Sequence, residues 1–154
     1  MNIYFWKCNE PYGAFSQWYE SEFEIDGIQF NCGEQYMMYA KAILFGDNEI
    51  AQQILAETSP RKHKALGRKI KGFDEEVWVN NRWEIVYQGN LAKFTQNDDL
   101  KQLLLSTKNA TIAEASPLDG IWGIGITAQK ALEGSPWRGL NLLGEVLMKV
   151  RDLL

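Results

Sequence analysis

The chain has 154 residues, 45% of them hydrophobic, with six Trp, seven Phe and six Tyr. That suffices for one domain, residues 1–154, whose core takes roughly two-thirds of the unfolded chain's surface out of water. A formal charge of −4 gives no general pull toward nucleic acid or anionic lipid, although a local basic patch can act against it. Cys8, Cys32 and a lone histidine make neither a disulfide framework nor a metal site. No cationic start leads into an apolar run and no 18 consecutive apolar residues occur, so no membrane contact and a cytoplasmic location are expected.

In chain order, Ile3-Tyr4-Phe5-Trp6 reads as a short strand and Pro11-Tyr12-Gly13 as a turn. The loop Ala14-Phe15-Ser16-Gln17-Trp18 sets a hydroxyl and an amide between aromatics. Such a loop can bracket a base and hold a sugar or phosphate, or it can pin its rings into the core. Glu22 to Ile25 and Ile28 to Phe30 alternate around Asp26-Gly27, which predicts a hairpin with a type I′ turn. A helix follows from about Glu34 to Phe45. Glu34, Met37, Met38 and Lys41 share one face of it. The helix dipole favours the Glu34 anion, while desolvation among Met and Tyr favours the neutral acid. Glu34 is therefore a candidate acid or base, or else a capping residue with Lys41 as its solvated partner.

Ile50, Ile54 and Leu55 mark a second helix, and Ser59-Pro60 starts a third. Arg61, Lys64, Arg68 and Lys71 recur on it at intervals of three and four, a positive stripe suited to phosphate or simply a solvated face. His63, flanked by lysines, reads as a surface residue. Asp74 caps a long helix from about Glu75 to Phe94, Asp98-Asp99 begins another, and Thr111 to Ala115 reads as a strand. Leu118 to Gly125 is a glycine-rich loop holding Asp119 and Trp122. Gly123, Gly125 and Ala128 match a dinucleotide-binding spacing, but too little chain follows for a strand–helix–strand unit. Asn141 is read as the cap of the last helix. Gly144 within it costs about 1 kcal/mol relative to Ala, so it marks a close approach of another segment or a ligand. The whole reads as an α+β fold, mostly helical, with a small β-sheet or hairpin element.

Several stretches keep the order and spacing of one family. They are Tyr12-Gly13-Ala14-Phe15-Ser16, Glu34-Gln35-Tyr36 through Lys41, Leu66-Gly67-Arg68, Trp78, Ala92-Lys93-Phe94, Leu103 to Thr107, Asp119 to Gly123, and Gly139 to Met148. Over nearly its whole length the chain resembles the NADAR, or YbiA-like, family of N-glycosidases. The resemblance implies hydrolysis of a ribosyl–base bond without a cofactor or a metal. The substrate it implies first is ADP-ribose attached to guanine in nucleic acid, with ADP-ribosylated DNA as a partner. The alternatives are a phosphoribosylated riboflavin precursor, or a non-catalytic module that binds ADP-ribose or NAD.

Carried onto this sequence, the resemblance puts the catalytic residues at Glu34, Trp78 and Asp119. Joined to the residue chemistry above, it leads to expected substrate contacts at Phe15, Ser16, Gln17, Trp18, Tyr36, Lys41, Arg68, Trp122, Gly123 and Asn141. Two departures stand out: Ser16-Gln17-Trp18 where the family usually has Ser-Asn-Phe, and Glu34-Gln35 where it usually has Glu-His. Cleaving such a bond builds positive charge on the sugar and negative charge on the departing base, so two carboxylates, Glu34 and Asp119, and a stacking indole suit the reaction.

Overall fold

In the computed structural model of the protein, which describes residues 1–154, Asp26-Gly27 joins β2 (Phe23–Ile25) to β3 (Ile28–Phe30). The strands are antiparallel, with Phe23 opposite Phe30. Both turn residues have positive φ, 53° and 81°, as the twist of a two-residue hairpin demands. The hairpin feeds α1 (Gly33–Leu44), which is followed by α2 (Asn48–Ala56), α3 (Pro60–Gly67) and α4 (Glu75–Gln96). The last three are each opened by a side chain that accepts from an amide left free at a helix start. Asp47 accepts from Ile50, Ser59 from Lys62 and Asp74 from Val77. Helix α1 packs against α2, α3 and α4, and α4 also covers β2. Phe23, Phe30, Met37, Met38, Ile54 and Val86 are buried in this central unit, Glu20–Asn97.

The terminal unit combines Met1–Tyr19 with Asp98–Leu154. Its β1 (Asn2–Phe5) pairs in parallel with β4 (Thr111–Glu114), Asn2 opposite Thr111. It also holds α5 (Asp98–Ser106), α6 (Ala128–Leu132) and α7 (Leu142–Leu153). Leu143, Val146, Leu147 and Val150 repeat at helical spacing, are fully buried, and form the face that α7 lays on β4. Gly144 lies where an added Cβ would run into the Ile112 carbonyl oxygen and the Asn141 side chain. The close approach expected there is thus to another segment of the chain.

The fold is α+β and mostly helical, as expected, with two two-stranded sheets. Three local expectations are corrected. The third helix ends at Gly67, so Arg68 and Lys71 lie beyond it rather than on a continuous helical stripe. His63 is fully buried instead of lying on the surface. Asn141 precedes α7 but makes no side-chain cap. It accepts from the Glu114 amide at 3.1 Å and donates to the Ile112 carbonyl at 3.0 Å, so its amide completes the edge of β4. Finally, α6, capped by Thr127, was not anticipated.

Gly144→Val is expected to destabilise the protein by about 1–3 kcal/mol through overpacking, read as a lower urea midpoint. An unchanged midpoint would mean that α7 can draw back from β4 at no cost.

Candidate active site

The start of α1 is tied down from two sides. Its N-cap residue, Cys32, is extended and provides no side-chain cap. Gln35 reaches back instead. Its Oε1 accepts from the Asn31 amide at 2.7 Å, and its Nε2 donates to the carbonyls of Ile54 at 3.1 Å and Glu57 at 3.2 Å. From α3, His63 places Nε2 at 2.6 Å from the same Glu57 carbonyl and Nδ1 at 3.8 Å from Cys32 Sγ. Since the carbonyl can only accept, Nε2 carries the proton and Nδ1 accepts from the thiol. Burial supports that tautomer. It pushes the Cys32 thiol up to about 11 and, against the Glu57 bond, holds the imidazole below its ordinary value.

This frame sets the direction of Glu34, the second residue of α1, which is 4% exposed and sits at the positive end of the helix dipole. Two turns on, the Lys41 ammonium lies 4.8 Å from the centre of the Phe73 ring and 5.2 Å from that of Trp78. Burial lowers the lysine's proton affinity, the Glu34 and Glu75 carboxylates raise it, and Arg68 lowers it further. Trp78, in the first turn of α4, is 8% exposed. One face of its indole carries the ammonium, so here it steadies a cation. Phe73 is 43% exposed and its ring lies 5.3 Å from that of Phe45. Tyr36 packs edge-on against Phe30 at 5.0 Å, which pins α1 to the hairpin. Burial pushes its phenol up. Arg68 is exposed just past α3.

The other candidates belong to the terminal unit. Phe15 is fully buried, edge-on to Phe5 at 5.7 Å and stacked on Tyr12 at 5.6 Å, which is a core position. Ser16 Oγ accepts from the Trp18 amide at 3.1 Å. Gln17 is half-buried and Trp18 is 41% exposed. Asp119 Oδ1 accepts from the amides of Ile121 and Trp122, both at 2.9 Å, and so shapes its own loop. Trp122 is half-buried, and the carbonyl of buried Gly123 accepts from the Asn141 amide at 3.0 Å.

Glu34, Tyr36, Lys41, Arg68 and Trp78 therefore share the central unit. Phe15, Ser16, Gln17, Trp18, Asp119, Trp122, Gly123 and Asn141 share the terminal one. Sequence reasoning passed over Phe73 and assigned no role to Lys93, which is fully buried in α4 and whose charge favours the Cys32 thiolate. The one available signal for Lys93 was its place in the Ala92-Lys93-Phe94 motif.

The sequence model of the NADAR domain matches residues 4–154. N-glycosidase R617 of Acanthamoeba polyphaga mimivirus is 46% identical over 145 residues, which cover 90% of this chain and 85% of the viral protein. Protein irg-1 of Caenorhabditis elegans is 42% identical over 159 residues, covering 92% and 75%. The NMR structure of the E. coli protein YbiA aligns with a TM-score of 0.82 at 26% identity, covering 99% of this chain and 83% of that one. No helix of the structure is long and apolar enough to cross a membrane.

His63 gives a pH test. Because burial depresses its folded value below the ordinary 6.5, the unfolded chain takes up the proton first as pH falls. Stability should therefore drop below about pH 6.5 until the folded imidazole also protonates. The urea midpoint is expected to fall between about pH 7.5 and about pH 5.5. His63→Gln, which keeps a donor for Glu57, should lose much of that dependence, and equal slopes in both proteins would place the titration elsewhere.

Proposed function

The chain belongs to the NADAR domain family, and from that premise we infer that it is an N-glycosidase, a hydrolase of ribosyl–base bonds acting in the cytoplasm. The substrate we assign is ADP-ribose carried on guanine in nucleic acid. The observation that carries this reading is the alignment on α1 of a buried carboxylate, Glu34, with an ammonium, Lys41, resting on two aromatic rings.

In the reaction the C1′–N bond breaks with its electron pair passing to guanine. A water oxygen bonds to C1′ and a water proton ends on the departing base. Glu34, held with little water around it, is worth most where the sugar becomes cation-like, because opposite charges attract more strongly at low dielectric. The same carboxylate can orient the water and take its proton. Lys41 and the exposed Arg68 fit the diphosphate of ADP-ribose: the former is a compact ammonium, the latter a fork that can bind two oxygens. Trp78 keeps Lys41 in place.

The test runs wild-type protein on an ADP-ribosylated guanine oligonucleotide and on a phosphoribosylated riboflavin precursor, with ADP-ribose and sugar phosphate quantified. ADP-ribose release from the oligonucleotide is expected. Glu34→Gln should cut kcat about 100-fold or more with KM within a few-fold, since one charge is lost at nearly constant volume. Asp119→Asn keeps a carbonyl oxygen for the Ile121 and Trp122 amides, so its turnover tests the charge that the resemblance assigns to catalysis and is expected to fall if that charge is used. Release from the metabolite alone would replace the substrate, and an active Glu34→Gln would move the chemistry to another residue.

A further inference from the structure

Between Pro60 and Phe73 the chain holds Arg61, Lys62, Lys64, Arg68, Lys69 and Lys71 and no acidic residue, in a protein whose formal charge is −4. All six cations are exposed. Lys62 and Lys69 line an open groove of about 360 Å³ between α2 and α3, with Gln53 and one acid, Glu57, also in its lining. The run ends at Phe73, whose ring is 43% exposed and is touched by the Lys41 ammonium. Lys41 in turn feels both Arg68 and Glu34. Charge and stacking surface therefore continue outward from the catalytic carboxylate within one unit of the protein.

Resting on the nucleic-acid reading above, we propose that Arg61–Phe73 is a track for single-stranded nucleic acid flanking the modified guanine. Phosphates lie along Lys62, Lys64 and Lys69, and a neighbouring base stacks on Phe73. Cations spread over α3, about 12 Å of helix, exceed what one diphosphate engages. A run of exposed cations ending at an exposed aromatic ring is the combination with which proteins hold single strands, whose bases present their faces. A buried carboxylate also reaches a ribosyl–base bond only when the base is out of a stacked duplex.

Fluorescence anisotropy with a labelled, unmodified single-stranded DNA of about 12 nucleotides reads the track without turnover. Wild-type protein should bind, and K62E/K64E/K69E should bind at least about 10-fold more weakly, with a log–log salt slope shallower by about 2. Phe73→Ala should weaken binding several-fold and leave that slope unchanged. The triple variant should still release ADP-ribose from ADP-ribosylated guanosine monophosphate at the wild-type rate. K62Q/K64Q/K69Q serves if the reversals disturb α3. Failure of wild-type protein to bind the strand, or wild-type affinity in the triple variant, overturns the track. If that happens while the small substrate is cleaved, the activity stands and only the track falls. Charge-dependent strand binding without cleavage of either substrate keeps the track and removes the substrate assignment.

Discussion

The side-chain amide of Gln35 fixes the rotation of α1. One amide joins the end of β3, through Asn31, to the last turn of α2 and the loop after it, through Ile54 and Glu57. Without it, the Asn31 amide would lose its partner, at about 1–3 kcal/mol if left bare in a largely closed region, whereas the carbonyls of Ile54 and Glu57 would keep the Glu57 amide and the His63 ring. Rotation matters because Glu34 and Lys41 are presented by the same helix face. A turn of α1 about its axis would carry the carboxylate away from its place and the ammonium off its rings. The choice of Gln at position 35 is accordingly a structural one. Gln35 supplies a donor and an acceptor together, and an imidazole reaches the same Glu57 carbonyl from α3.

The electrostatics of the central unit follow from this frame. An ammonium that loses water also loses proton affinity, and burial is the largest influence on Lys41. Two nearby carboxylates and two ring faces counter that loss without quenching the charge. The total charge hides a second asymmetry. The cations of the Arg61–Lys71 stretch are concentrated in one segment, whereas acids open most of the other helices: Glu34, Glu49, Glu75 with Glu76, and Asp98 with Asp99. Those acids suit the positive helix ends on which they lie.

What was legible in the sequence was local. Asp26-Gly27 announced its turn, and Ser59-Pro60 and Asp74 announced their helices. His63 was not legible. The inward side of α3 is built from Pro60, His63, Leu66 and Gly67, too mixed in polarity to register as an apolar stripe, and the flanking lysines pointed outward. Asn141 has the identity of a cap, but its partners are carbonyl and amide groups on β4, far away in the chain. The Glu34–Lys41 pairing could be foreseen from helical spacing. Phe73, delivered from the loop before α4, could not, because no periodicity connects it to α1.

The parallel pairing of β1 with β4 has a temporal side. β1 leaves the ribosome well before its partner, which begins at Thr111, and at ~5–20 residues per second the gap lasts on the order of ten seconds. Through that interval Glu20–Asn97, whose helices find their neighbours nearby in the chain, can emerge and condense. β1 meanwhile waits as an open edge with its backbone groups hydrated. Assembly of the unit that holds β1 and β4 is thus deferred until β4 has been made, which leaves β1 the part most in need of shelter from other unfolded polypeptides.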